Sequence, residues 1–312
     1  MKKLLAVVLL LCSFGVVAQT YPAKPVKIIV GLPAGSGPDV IVRKVADQLS
    51  KKWSVPVTVD NRPGGGGAVA LNAFNQEAAD GYTLYFGDLG TVIGYPILYN
   101  DPAIVGNLEP VSPVIVSEMM LITSSKIQNV KELETALQTK PTLGSWGVGS
   151  SAHLDDLILA DYFHVKPKHI PYKEYGQWFI DTSNQVVTAG FATMASAGNM
   201  QKSGKLKFLA VTGDQRDFAY PDVPTVKELT GRDLKMIGSF VTLYVNKKTD
   251  PAVQKKLIQD LAVVVNSNDT KIALLSIDYR PWPISVAEFK RYSDEKSALY
   301  KKLVKQYNIS IN

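Results

Sequence analysis

Val26–Leu49 reads VKIIVGLPAGSGPDVIVRKVADQL. A β-branched run (Val26, Ile28, Ile29, Val30) breaks at Gly31, a loop of small residues and prolines follows, and apolar residues then recur at Val42, Val45, Ala46 and Leu49. This change of period predicts strand, loop and helix, with Asp39 placed to cap the helix. Gly35 and Gly37 let the backbone come close to a neighbour, and the free N–H groups of a first helical turn suit an anion. The loop has neither the Gly-x-x-x-x-Gly-Lys-Ser/Thr nor the Gly-x-Gly-x-x-Gly pattern, so it is no nucleotide P-loop and no dinucleotide fingerprint. Taken alone, it reads equally well as an ordinary α/β turn.

Outward from this stretch the pattern repeats. Val55, Val57 and Val59 alternate in a second strand, and Pro63 with Gly64–Gly67 leads into a short helix over 68–77. Tyr82, Leu84 and Phe86 form a third strand, followed by another small-residue loop over 87–94. Strands alternating with helices predict parallel βαβ units, whose strand-end loops gather at one edge of the sheet, where ligands bind. A long extended segment covers 111–122 and a short helix 129–138. A second unit then starts near Leu143, where GSWGVGSS (144–151) leads into a helix carrying Leu154, Leu157, Ile158 and Tyr162. Further strands are expected at 207–211 and 240–245, then two helical patterns beyond Pro251. The fold class is therefore α/β, with two lobes, a hinge of strands and a cleft between them. The expected boundaries are 19–121 with 241–312 for lobe 1, and 122–240 for lobe 2.

The chain opens with Lys2 and Lys3 and an apolar run from Leu4 to Val17, and Ala18 precedes Gln19 in a cleavage context. Residues 1–18 read as a signal peptide, too short for a membrane span. Leu11 stands where a small residue should precede a lipidated cysteine, so Cys12, the only cysteine, belongs to the discarded segment. Removing 18 residues from 312 leaves 294 without a thiol, which excludes disulfides, a cysteine nucleophile and cysteine-held metal. A chain of this length has enough core for two domains. The net charge of +6 falls to +4 without the two leading lysines, and the cations are interspersed with acids. That is a solvated basic surface, with no nucleic-acid patch and a mild preference for an acidic small ligand.

Three histidines, His153, His164 and His169, have no metal-ligand spacing, so neither metal nor cofactor is expected. There is no Gly-x-Ser-x-Gly elbow. Ser151 lies two residues from His153, but that spacing does not make a triad. Asp155 and Asp156, adjacent on a helix, point about 100° apart and read as a solvated face or a cap rather than paired acids. Ser150 and Ser151 are helix caps or anion donors. Trp146 either packs beneath its loop or lines the cleft, and Arg62 braces the glycine cluster or meets an anion.

These residues resemble the periplasmic receptors of tripartite tricarboxylate transporters, also known as the Bordetella uptake protein family. The likeness rests on Tyr21-Pro22-Ala23-Lys24-Pro25, Leu32-Pro33-Ala34-Gly35-Ser36-Gly37-Pro38-Asp39, Asn61-Arg62-Pro63-Gly64 and Asp80-Gly81-Tyr82-Thr83-Leu84. It continues through Gly144–Leu154, Pro171-Tyr172-Lys173, Lys205–Thr212 and Pro221-Asp222-Val223-Pro224-Thr225, in order from residue 21 to about 230.

The resemblance implies a type II periplasmic-binding fold closing on a small organic carboxylate, non-catalytic and without cofactor. The ligand would be a mono-, di- or tricarboxylate, aliphatic or aromatic, passed on by a monomer to the transporter's membrane subunits. The ligand contacts it implies are Leu32, Ala34, Gly35, Ser36, Asp39, Asp88, Thr91, Ser145, Trp146, Ser150 and Ser151. Uncharged donors, waters and helix dipoles would hold the carboxylate. The chain departs from the family at Gly31 and Ala34, where proline is usual, and at Ser36 and Glu174, where glycine is. It departs again over 187–192, where the family's acidic stretch is poorly preserved. Two rivals are a signalling module that docks on a membrane sensor and a secreted hydrolase using Ser151 and His153.

Overall fold

The computed structural model describes residues 21–310 apart from Pro33, Lys173 and Asp278. The segment read as a signal peptide, with Cys12, lies outside these residues. Strand β1 (Val26–Val30), helix α1 (Gly37–Trp53), β2 (Val57–Asn61), α2 (Ala68–Asn75) and β3 (Thr83–Asp88) follow one another, and β1 pairs in parallel with both β2 and β3. After β4 (Leu108–Ser117) the chain leaves this sheet at Glu118. A second sheet is built from β5 (Met119–Ser124), α3 (Val130–Thr139), β6 (Thr142–Ser145), α4 (Ser151–Tyr162), β7 (Lys168–Pro171), α5 (Tyr175–Ser183), β8 (Ala189–Thr193), α6 (Met194–Lys202) and β9 (Leu206–Val211). Past α7 (Val226–Thr230), β10 (Ser239–Asn246) returns to the first sheet. Helices α8 (Pro251–Val265) and α9 (Asn268–Leu275), strand β11 (Arg280–Pro281) and helix α10 (Val286–Gln306) follow.

The strand orders are β11-β4-β10-β3-β1-β2 and β7-β6-β8-β5-β9. Strand β10 runs antiparallel to β3 and β4, and β5 antiparallel to β8 and β9, so both sheets are mixed. Strand β1 is apolar on both faces because helices cover both: Val26, Ile28, Ile29 and Val30 are all fully buried. On α1 the buried residues Ile41, Val42, Val45, Ala46 and Leu49 form one stripe, and the helix stops where Ser54 takes a left-handed φ of 56°. Helix α10 packs into both halves at once. Phe289, Tyr300 and Leu303 share one apolar cluster with Tyr85 and Tyr244 of the first sheet and with Leu143 and Phe191 of the second.

Two sequence expectations need correction. Asp39 does not cap α1: Ser36 is the N-cap residue, and Asp39 sits in the helix's first turn. Its carboxylate reaches back to accept the Gly35 N–H at 2.8 Å, and also accepts from Arg43 Nε at 2.9 Å and Asn61 Nδ2 at 2.8 Å. Asp155 and Asp156 are not on a solvated face but are buried. The reason is that α4 lies between the second sheet on one side and the returning chain with α10 on the other. Asp155 accepts the Ile237 N–H at 2.6 Å and the Gly238 N–H at 3.2 Å, just before β10 begins. Burial pushes its carboxyl up to about 7, against the pull of those two N–H groups and of Lys296. Burial and the Asp155 charge push Asp156 well above the usual carboxylate range. Strand β8, helices α5 and α6, and the helical turns over 90–98 are elements that no clear hydrophobic period in the sequence announces.

Among the described residues no helix is long and apolar enough to cross a membrane. Replacing Asp155 by Ala should strand the buried Ile237 N–H, a loss of about 1–3 kcal/mol. Urea unfolding at neutral pH checks this, and a midpoint equal to the parent's would contradict it.

Candidate functional site

The loops that follow β1, β2 and β3 leave the first sheet at one edge, because those strands run parallel. Facing them is the glycine–serine loop between β6 and α4 of the second sheet. Between the two sets lies a cavity of about 390 Å³. A larger depression, about 650 Å³, runs along the flank of α3, and its lining comes from the second half alone. The smaller cavity is the candidate site because the loops after β1, β2 and β3 and the glycine–serine loop all converge on it.

Six of the residues singled out in the sequence line this cavity: Leu32, Asp88, Thr91, Trp146, Ser150 and Ser151. The structure does not bring Ala34, Gly35, Ser36, Asp39 or Ser145 to its wall. Asp39 is turned toward Gly35, Arg43 and Asn61, and the Tyr279 ring crowds the start of α1, where a Cβ on Gly37 would lie 2.7 Å from Tyr279 Cε2. Ser145 is fully buried, its hydroxyl 2.8 Å from His169 Nε2. Arg62 pairs with Asp60 at 2.9 Å and braces its own turn.

The wall also holds Tyr95, Leu98 and Tyr99, Ser239 at the start of β10, and Tyr300 of α10. Tyr95 and Tyr99 carried a readable signal, since they stand four apart just beyond a small-residue loop. Tyr300 carried none, because a tyrosine in an apolar helical stripe reads as core.

Local geometry explains the loops. Gly67 has φ +95°, and a Cβ there would come 2.3 Å from Thr91 Cγ2, so only glycine fits beneath the turn after β3. In that turn Asp88 Oδ1 accepts the Thr91 N–H at 2.9 Å and its hydroxyl at 2.5 Å. Across the cavity, Ser150 caps α4: its Oγ accepts the His153 N–H at 3.2 Å and donates to the Gly147 carbonyl at 2.8 Å. The next two N–H groups, of Ser151 and Ala152, have no partner among the described residues, as expected of a helix's first turn. Tyr300 donates its hydroxyl to the Gly149 carbonyl and so ties this loop to α10.

His153 Nδ1 accepts the Gly149 N–H at 2.9 Å, and its ring stacks on His169 with centroids 3.8 Å apart. Burial pushes His153 down to about 3, with His169 adding to the shift, and burial pushes His169 down to about 4. Both rings are therefore neutral near pH 7. The Gly149 amide occupies His153 Nδ1, and no hydrogen bond joins Ser151 to His153 among the described residues, so the pair is not set up as nucleophile and base. No group of three or more His, Cys, Asp or Glu able to hold a metal occurs among the described residues.

Two mixed α/β halves, with flanking helices and a cavity between their loops, define a solute-binding receptor of type II periplasmic-binding architecture. Residues 41–309 match the tripartite tricarboxylate transporter family receptor, and the chain belongs to that family. It is 31% identical over 270 residues to the protein BugT of Bordetella pertussis, covering 81% of each chain. Among solved structures it is similar to a TctC solute-binding protein from Polaromonas, with a TM-score of 0.79 and 26% identity over 92% of this chain and all of that one. It also shares the fold of MatC from Rhodopseudomonas palustris with bound malate, with a TM-score of 0.73 and 21% identity over 91% of this chain and all of that one.

The stacked histidines predict a pH effect. Their folded values lie below the ordinary 6.5, so the native state binds fewer protons than the unfolded chain as pH falls. Their contribution is complete above pH 6.5 and is lost on acidification toward pH 4. The raised carboxyls Asp155 and Asp156 titrate in the opposite sense, so the difference between parent and His169→Gln isolates the histidine. That difference in unfolding free energy should change by up to about 1.4 kcal/mol per pH unit between pH 6 and 4.5. A difference independent of pH, measured by urea titration, would contradict it.

Proposed function

We propose that this chain is a periplasmic receptor that captures a small organic carboxylate and hands it to the membrane subunits of a tripartite tricarboxylate transporter. The observation that carries the reading is the cavity itself: the turn after β3 faces the start of α4, where Ser151 and Ala152 offer free N–H groups. Two N–H groups at a helix N-terminus complement a carboxylate through both hydrogen bonding and the helix dipole. The Ser151 hydroxyl stands beside them on the cavity wall and makes no hydrogen bond to any described residue. Malate in MatC, a protein of the same fold, is consistent with a carboxylate in such a cleft.

In this reading the lobes comprise 19–121 with 241–312, and 122–240, and the chain passes between them near Glu118 and ahead of β10. The protein is exported by cleavage after residue 18 and works as a monomer. The contact set is drawn from Leu32, Ala34, Gly35, Ser36, Asp39, Asp88, Thr91, Ser145, Trp146, Ser150 and Ser151. Those lying off the described cavity wall act by shaping the loops or on closure of the lobes. Trp146 and the Tyr95–Tyr99 pair, whose rings stack 4.2 Å apart, add an apolar side suited to an aromatic or aliphatic body. Closing the lobes removes water and strengthens each polar contact.

A thermal-shift screen of aliphatic and aromatic carboxylates, followed by calorimetry, tests this. A ligand at one hundred times its Kd should stabilise the protein by about 2.7 kcal/mol. Saturable binding of a neutral sugar with no response to any carboxylate would overturn the assignment.

A further inference from the structure

The wall of this cavity is unusual for a site that receives an anion. Among the described residues lining it, Asp88 is the one charged side chain, and no lysine, arginine or histidine is present. Nor does Asp88 have an ion-pair partner elsewhere among the described residues. Its Oδ1 is taken by the Thr91 N–H and hydroxyl, whereas Oδ2 accepts no hydrogen bond from any described residue. Holding the turn needs only Oδ1, which the neutral amide of asparagine would also supply. The negative charge is thus surplus to the turn. It also repels a ligand that bears only carboxylates, because no cation on the wall offsets it.

We propose that the ligand is a zwitterion of amino-acid type, its carboxylate on the first turn of α4 at Ser151 and its ammonium on Asp88 Oδ2. This deepens the receptor reading above and rests on it. The two ends of the cavity carry complementary signs: free N–H groups and a helix N-terminus on one side, a carboxylate on the other. The aromatic surfaces fit the same chemistry. Tyr95, Tyr99 and Trp146 line the cavity, and ring faces attract an ammonium while covering an apolar side chain. The field of Asp88 also reaches tyrosines brought from either half of the molecule. Burial and the Asp88 charge push the Tyr175 hydroxyl up to about 12, and burial, Tyr175 and Asp88 do the same for Tyr279.

Calorimetry with matched probes tests this, comparing succinate with aspartate and 3-phenylpropionate with phenylalanine, with citrate as a plain tricarboxylate, on the parent and on Asp88→Asn. The ammonium-bearing member of at least one pair should bind the parent tenfold or more tightly than its partner. In Asp88→Asn that preference should fall at least tenfold, while circular dichroism and the urea midpoint stay near the parent's because Oδ1 still holds Thr91. Equal or tighter binding of the plain carboxylates by the parent, including citrate alone, would overturn the proposal and leave the receptor reading standing. So would a preference for the ammonium that survives Asp88→Asn. Should no probe bind the parent, the carboxylate reading itself fails and the zwitterion falls with it.

Discussion

A single tie, from the Tyr300 hydroxyl on the last helix to the Gly149 carbonyl, fixes the glycine–serine loop of one sheet against elements that belong to the other. Tyr300 is fully buried and packs in the apolar cluster that spans both halves, so the hydrogen bond is sheltered from water. The first turn of α4 follows directly from that loop. Its free N–H groups point where they do because Gly149 can adopt φ +74° while Leu98 packs against it from the helical turns after β3. Loop, helix start and cavity wall are consequences of one constraint: two sheets must be held with their ligand-facing edges toward each other.

Buried polar groups reinforce the same constraint. Asp155 joins α4 to the backbone just ahead of β10, and Lys296 of α10 donates to the Met236 carbonyl at 2.6 Å in the same region. The stacked His153 and His169 sit directly behind the glycine–serine loop, one holding the Gly149 amide and the other meeting the Ser145 hydroxyl. Each of these contacts is costly to leave unmade inside the protein, so they favour one arrangement of the loop over its alternatives. A rigid set of uncharged donors on one side and a lone carboxylate on the other can then discriminate ligands by where their charges lie.

Much of this is legible in the sequence itself. The β-branched run at Val26–Val30 and the stripe on α1 announce themselves by period, as do the three small-residue loops that end the first strands. The convergence of those loops follows from parallel pairing alone, whereas Leu32, Asp88 and Thr91 are named as ligand contacts only through the family resemblance. Ser150 and Ser151 could be named because a serine pair before an apolar helical pattern marks an N-terminus. Other features depend on packing that no local pattern encodes. Asp39 looks like a cap in sequence, yet Ser36 begins the helix and Asp39 turns back to hold Gly35. The Asp155–Asp156 pair reads as polar surface until the returning chain covers it. Tyr300 lies about 150 residues from the carbonyl it holds, a contact that only the completed fold creates.

Hydrogen exchange with a carboxylate ligand bound reports most directly on whether the two loop sets act as one site. The account predicts that amide exchange slows together over 87–94 and 144–152, on opposite sides of the cavity, with little change along the flank of α3. Protection confined to one of those loops, or centred on α3, would contradict it.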